Sequence, residues 1–285
     1  MTRKLLTERI VFNLFKICVL SLVVIIFSII AYIIWKGLPI LSLDFLLSPP
    51  TSGMLEGGIS SAIAGTLMVM VLTIIFAIPL GVASAIYLSE YTQNIDSRII
   101  RVVRMSINNL AGVPSIVYGL LGLGLFVLFL KLRFSILSAS LTLSILILPV
   151  IIAASEEAIR SVPMSYREAS LAMGATKWET IRHVVIPSAL PGILTACILG
   201  LSRAAGETAP LLMTGAAYYF PHFLGNIFRQ FMALPTHIFF MATQSPNPDL
   251  TRPIQYGTIT VLLFIVISMN MVAILIRSYS RRRSR

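Results

Sequence analysis

Six apolar runs, each long enough at roughly 20 residues to cross a hydrocarbon layer as a helix, limit what this chain can fold into. They fall at about 17–35, 61–88, 110–130, 135–153, 188–213 and 256–276. Inside a bilayer no water satisfies backbone N–H and C=O groups, so such runs must close their hydrogen bonds internally as helices. The expected fold class is all-α: a polytopic membrane protein with six transmembrane helices. Composition points the same way, since 57% of residues are hydrophobic and 12% charged, against about 25% charged in soluble domains. The run from Ile17 to Trp35 exceeds a signal-peptide core and no small-residue cleavage site follows, so it reads as a retained anchor.

The formal net charge of +11 would suit nucleic acid if it lay in one stripe. Instead the basic residues sit in short clusters between the apolar runs, which reads as a topology signal, with lipid and not nucleic acid as the partner. Arg3, Lys4, Arg9 and Lys16 precede the first run, and Arg98, Arg101 and Arg104 follow the second. Arg160, Arg167, Lys177 and Arg182 lie between the fourth and fifth, and Arg277, Arg281, Arg282, Arg283 and Arg285 end the chain. The alternate connections carry only Lys36, then Lys131 and Arg133, then Arg229 and Arg252. Because positive charge is retained in the cytoplasm, both termini are expected there. Residues 1–16 form a cytoplasmic N-terminus, 154–187 a cytoplasmic loop and 277–285 a basic tail, around one transmembrane domain, 1–285.

Several chemistries find no support. Cys18 and Cys197 lie inside apolar runs without a second ligand at metal spacing, and His183, His222 and His237 are scattered. No nucleophile, base and orienting group stand together. No GxxxxGK[ST] loop is present, so the chain is not expected to bind ATP-Mg, or any other cofactor, by itself. Met68, Met70 and the phenylalanines read as packing or lipid-facing groups. Gly119, Gly122 and Gly124 read as helix contacts, and Pro79, Pro114 and Pro149 as sites of helix bending. The prolines between Ala216 and Pro253 make that outer segment a poor single helix, with a re-entrant or interfacial piece around Phe220–Phe240.

The most specific segment is Ser165–Pro187, SYREASLAMGATKWETIRHVVIP. Ser165 with Glu168, and Thr176 with Glu179, each fit a capping box, in which a hydroxyl and a carboxylate satisfy orphan amides reciprocally. Gly174 between them suits a left-handed helix stop. Helix, tight turn, helix is expected, with Ala169, Ala172 and Ala175 leaving room for a partner to approach. This loop resembles that of permease subunits of ATP-binding-cassette importers, whose pattern is EAA, three residues, Gly, nine residues, I-x-L-P. Here it reads Glu168, Ala169, Ser170, then Gly174, then Val184, Ile186 and Pro187; Ser, Val and Ile depart from the pattern conservatively. The resemblance implies the type I importer permease fold and assigns ATPase coupling to Glu168, Ala169, Gly174 and Pro187.

The fifth run contains Arg203 and Glu207 in LSRAAGETAPLL. An intramembrane Arg costs at least about 2.5–3.5 kcal/mol on insertion scales, so it should face protein or water. Counting from Leu190, Arg203 lies about 20 Å along a helix, near mid-membrane. Four residues apart, the two share a helix face, and Thr208 adds a hydroxyl nearby. Either the pair is structural and neutralises itself, or the guanidinium fork receives an oxyanion that exchanges with Glu207. The run from Arg203 to Pro210 resembles the fifth-span signature of phosphate permeases. So do GGISSAIAGTLMVM, IPLGVASAIYLSEY and GVPSIVYGLLGL, the last with Pro114 and Ser115. From about Gly57 to the last span the likeness is to the PstA type.

That resemblance implies a channel-forming, non-enzymatic subunit moving inorganic phosphate across the inner membrane of a prokaryote. Its implied partners are a second homologous permease, two ATP-binding-cassette ATPase subunits and an extracytoplasmic phosphate-binding protein. Arg203, Glu207, Thr208 and Ser115 are the expected substrate path. A permease for sulfate or molybdate, or a secondary transporter driven by an ion gradient, are the competing readings; the latter has no need of the Glu168–Pro187 loop.

Overall fold

A computed structural model describes residues 2–54, 56–92, 96–221, 226–245 and 247–283. The first helix, α1 (Thr2–Gly37), is one unbroken element, so the expected N-terminal piece 1–16 continues directly into the span. Nearly all of its large apolar side chains are exposed, as on a lipid-facing helix at the periphery. After it the chain makes a short helix α2 (Leu43–Leu47), started by the Ser42 hydroxyl accepting from the Phe45 amide. A two-stranded hairpin follows, β1 (Pro50–Thr51) against β2 (Glu56–Gly57).

Helices α3 (Ser60–Ile86) and α6 (Ile136–Arg160) form the centre of the bundle. Without a hydrophobic drive between helices in lipid, small polar residues hold them together. The Ser140 hydroxyl donates to the Val69 carbonyl and that of Ser144 to the Thr73 carbonyl, both at 3.3 Å. Helix α9 (Ile186–Gly206) lies against α6 through Gly200, whose missing side chain is replaced by Ile151. Pro79 and Pro149 are carried inside continuous helices.

The third apolar run is not the single straight span expected at 110–130. Helix α4 (Ser97–Ala111) and helix α5 (Ser115–Gly122) meet at 99°, and α5 continues as a wide helical turn, Leu123–Phe129. Gly112 and Pro114 explain the break: the proline has no amide hydrogen and sits at ψ 139°, outside the helical region. Among the described residues five helices are therefore long and apolar enough to cross a membrane, and six if the bent pair counts as one span. The basic segment 97–104 belongs to α4, which is amphipathic.

The fifth run also differs from its expected extent, 188–213. Helix α9 stops at Gly206, and a separate short helix α10 (Ala209–Thr214) follows. Beyond it the chain turns back into the bundle. The Phe231 amide donates to the Gly215 carbonyl, and α11 (Leu234–Thr243) begins where the Leu234 amide donates to the Thr66 hydroxyl of α3 at 2.8 Å. The expected re-entrant piece is this buried element; His222 and residues 223–225 lie outside the described residues. The last helix, α12 (Pro248–Arg283), packs on α1 through the Tyr32 and Tyr256 rings, 6.0 Å apart and edge to face. It runs on to residue 283, so the basic segment from 277 is helical through 283.

Candidate functional site at two facing helix breaks

The breaks in the third and fifth runs lie side by side. Val113 and Tyr118, flanking the first, cluster with Ala204 of α9 and with Leu146, Ile147 and Ile151 of α6. Those α6 residues sit about halfway along its 25 residues, which places both breaks near the middle of the bundle's depth. Gly119 of α5 meets Ala209 and Pro210 of α10, where an added Cβ would come within 3.2–3.3 Å.

Arg203 faces this point from the last turn of α9. Its Nη1 donates to the Ala111 carbonyl, the open end of α4, at 3.3 Å. Its Nε stands 3.6 Å from Glu207 Oε1, an ion-pair distance too long for a hydrogen bond. Glu207 is the C-cap of α9, with an extended ψ of 132°, and its carboxylate meets Arg203 from the i, i+4 position that the spacing suggested. The side chains are 33% and 16% exposed, so both remain reachable by water. Ser115 opens α5 and Thr208 precedes α10, one at each break. Among the described residues neither hydroxyl bonds to Arg203, so the structure brings the four residues to one region but joins only Arg203 and Glu207.

One and two turns below Ala111 along α4, Asn108 and Arg104 border a cavity of about 270 Å³ with Ile107, Ala153, Glu156, Glu157 and Arg160. Glu156 Oε1 is 2.7 Å from Arg104 Nε and 3.2 Å from Arg160 Nε. This group was not foreseen, because its members come from two helices far apart in the sequence.

The loop 164–187 folds largely as its spacing implies. Helix α7 (Met164–Ala172) ends at Gly174, φ +85°, and Thr176 with Glu179 forms a complete capping box for α8 (Lys177–Thr180). The Thr176 backbone amide, and then its hydroxyl, hold the Glu179 carboxyl below the usual carboxylate range. The first expected box does not form. Pro163 is the N-cap of α7, two residues earlier, so Ser165 is already inside the helix and Glu168 is not a cap. Glu168, Ala169, Gly174 and Pro187 are all exposed, and Met173 and Trp178 add apolar surface beside them, 88% and 54% exposed. A second wide turn, Ile181–Val185, joins α8 to α9 without interruption, so Lys177–Gly206 is one helical run of 30 residues. Residues missed in the sequence are Arg167 and Glu90, which form a buried ion pair at 2.7 Å; a lone acid in the otherwise uncharged run leaving the second span was the available signal.

Residues 77–285 match the model of the binding-protein-dependent transport system inner membrane component family. The chain belongs to this family of transport permeases. It is 34% identical over 284 residues to a probable ABC transporter permease, YqgI, of Bacillus subtilis, covering 96% of this chain and 95% of that one. It is 37% identical over 232 residues to the phosphate transport system permease protein PstA 1 of Mycobacterium tuberculosis, covering 80% and 72%. Among solved structures, a chain in the MetNI methionine ABC transporter aligns with TM-score 0.63 at 19% identity, over 78% of this chain and 97% of that one. One in a bacterial alginate ABC transporter aligns with TM-score 0.64 at 13% identity, over 96% and 94%. At such identities the likeness is one of fold, and the fold is that of type I importer permeases, not of an enzyme.

Proposed function

We propose that this chain is a channel-forming permease subunit of an ATP-driven importer that carries inorganic phosphate across the cytoplasmic membrane of a prokaryote. The observation that carries the reading is Arg203. Its guanidinium stands at mid-depth between two helix breaks, with one long carbonyl contact and one carboxylate at 3.6 Å. Irregular backbone at membrane depth is tolerated where it lines a water-filled path, and a planar fork of donors suits a tetrahedral oxyanion. Glu207 is the resting partner of Arg203 and yields to the incoming anion; Ser115 and Thr208 offer hydroxyls from either side. The phosphate transport system permeases among the relatives support phosphate as the cargo.

ATP-Mg is bound and hydrolysed by two partner ATPase subunits, and this chain holds no cofactor. A second, homologous permease completes the channel, and an extracytoplasmic phosphate-binding protein delivers the anion. Glu168, Ala169 and Gly174 form the knob that docks in the ATPase, and Pro187 opens the helix that carries its movement to Arg203. This knob spans the cytoplasmic loop 154–187 of a single permease domain, 1–285. The basic clusters support placing both termini, and that loop, in the cytoplasm. The deciding experiment is uptake of labelled phosphate by the reconstituted complex, with sulfate and molybdate as competitors. Phosphate uptake that excess sulfate or molybdate abolishes would transfer the reading to another oxyanion, and uptake without added ATPase subunits would favour a secondary transporter.

A further inference from the structure

The wide turn Tyr87–Tyr91, which follows α3 on the side of the basic loops, receives side chains from α4, α7 and α8. Such a turn inserts one residue into the helical ladder and re-aims the side chains around it. Glu90, in this turn, is 4% exposed. Its Oε1 accepts from Arg167 Nη2 at 2.7 Å and from Nε at 3.1 Å. The other guanidinium contacts go to the Ile159 and Val162 carbonyls, at 3.0 and 2.7 Å. A helix leaves its last carbonyls without internal partners, so Arg167 also closes the end of α6. It stands next to Glu168 on α7, whose opposite face is exposed.

Two further contacts meet at the same turn. The Lys177 ammonium of α8 lies 5.0 Å from the centre of the Tyr91 ring. Arg104 of α4 donates to the Leu88 carbonyl at 3.1 Å and to Glu156 of α6 at 2.7 Å. Helix α4 then ends at Ala111, the carbonyl that accepts from Arg203. One continuous set of directional contacts thus connects the loop helices, the turn, α4 and the mid-depth break.

We infer that Glu90 is a positioning residue for energy coupling: its pair with Arg167 fastens α7 to the ends of α3 and α6, so movement of the docking helices reaches α4 and Arg203. The inference rests on reading the chain as an importer permease. A buried ion pair is a poor choice for stability alone, because desolvation of both charges offsets their attraction and packed apolar residues hold as well. What the paired carboxylate and guanidinium add is a fixed direction and register. An apolar contact between helices can slide; this one transmits a displacement.

The test is Glu90→Gln in the complete complex in proteoliposomes, with phosphate uptake and ATP hydrolysis measured in the same vesicles. Gln keeps a carbonyl oxygen for Arg167, which retains its two backbone acceptors, so the chain inserts and assembles. Basal hydrolysis is expected to persist while phosphate imported per ATP falls about five-fold or more, the lower end of usual coupling between sites. Stimulation of hydrolysis by loaded binding protein falls alongside it, a readout that does not depend on which anion is carried. An unchanged ratio with unchanged stimulation overturns the inference. If Glu90→Gln assembles poorly, the double variant Glu90→Gln with Arg167→Gln removes both charges. Assembly restored without coupling supports the positioning role, and both restored together overturns it. Wild-type complex that fails to import phosphate counts against phosphate as cargo, while the stimulation readout still judges Glu90.

Discussion

Replacing Arg203 with Ala separates a transport role from a structural one, because the structure bounds what the fold stands to lose. The Arg203 side chain is 33% exposed, so its attraction to Glu207 at 3.6 Å is screened by solvent and contributes at most about 1 kcal/mol. The bond to the Ala111 carbonyl, long at 3.3 Å, adds about 1 kcal/mol. A loss of about 2 kcal/mol is small beside the usual 5–15 kcal/mol of a folded domain, so insertion and assembly should survive. Removing the charged partner of a bound oxyanion costs about 2–5 kcal/mol, which is about 30-fold or more in uptake at limiting phosphate. The assay is initial phosphate uptake by reconstituted complex, with subunit recovery and basal ATP hydrolysis measured on the same preparation. Expected is loss of uptake with the complex intact, and partial rescue by Lys, which lacks the planar fork. Arg203→Ala combined with Glu207→Ala is the decisive variant: recovered uptake would refute the anion-path role.

Gly174 stands at φ +85° with nothing within 4 Å of an added Cβ, so any penalty comes from the backbone and from a docked partner. Gly174→Asn, tolerated in the left-handed region, should keep most uptake, whereas Gly174→Leu, strained by about 1–3 kcal/mol, should lose stimulated ATP hydrolysis while inserting normally. A cysteine placed at Lys177 should escape impermeant thiol reagents applied to intact cells; labelling from outside would invert the topology. Gly65 lies against the Met232 carbonyl with no room for a methyl group. Gly65→Val should therefore displace the 231–234 segment and lower thermal stability by about 1–3 kcal/mol, read from the unfolding midpoint of the purified complex.

Much of this architecture is legible in the residue order. The positions of the long apolar runs, the amphipathic nature of 97–104 and the stop at Gly174 all follow from local physics. So does the Thr176–Glu179 box, because span length, helical period, backbone freedom and capping act within a few residues. The neighbouring Ser165–Glu168 pattern failed for an equally local reason: Pro163 starts α7 two residues before the serine could.

What the sequence could not decide is where the breaks fall and what they meet. An apolar run at 110–130 scores as one span, yet Gly112 and Pro114 bend it by 99° because Arg203 and α10 receive the freed ends. The run at 188–213 likewise divides at Glu207, where the backbone leaves the helix, while its carboxylate keeps the i, i+4 pairing with Arg203. Arg167 and Glu90 lie 77 positions apart and meet only because α3 and α6 end where α7 begins. A residue's own chemistry and near neighbours determine helices, caps and membrane preference. Which distant charge answers a buried one is settled by packing, since only the folded bundle brings the two within reach.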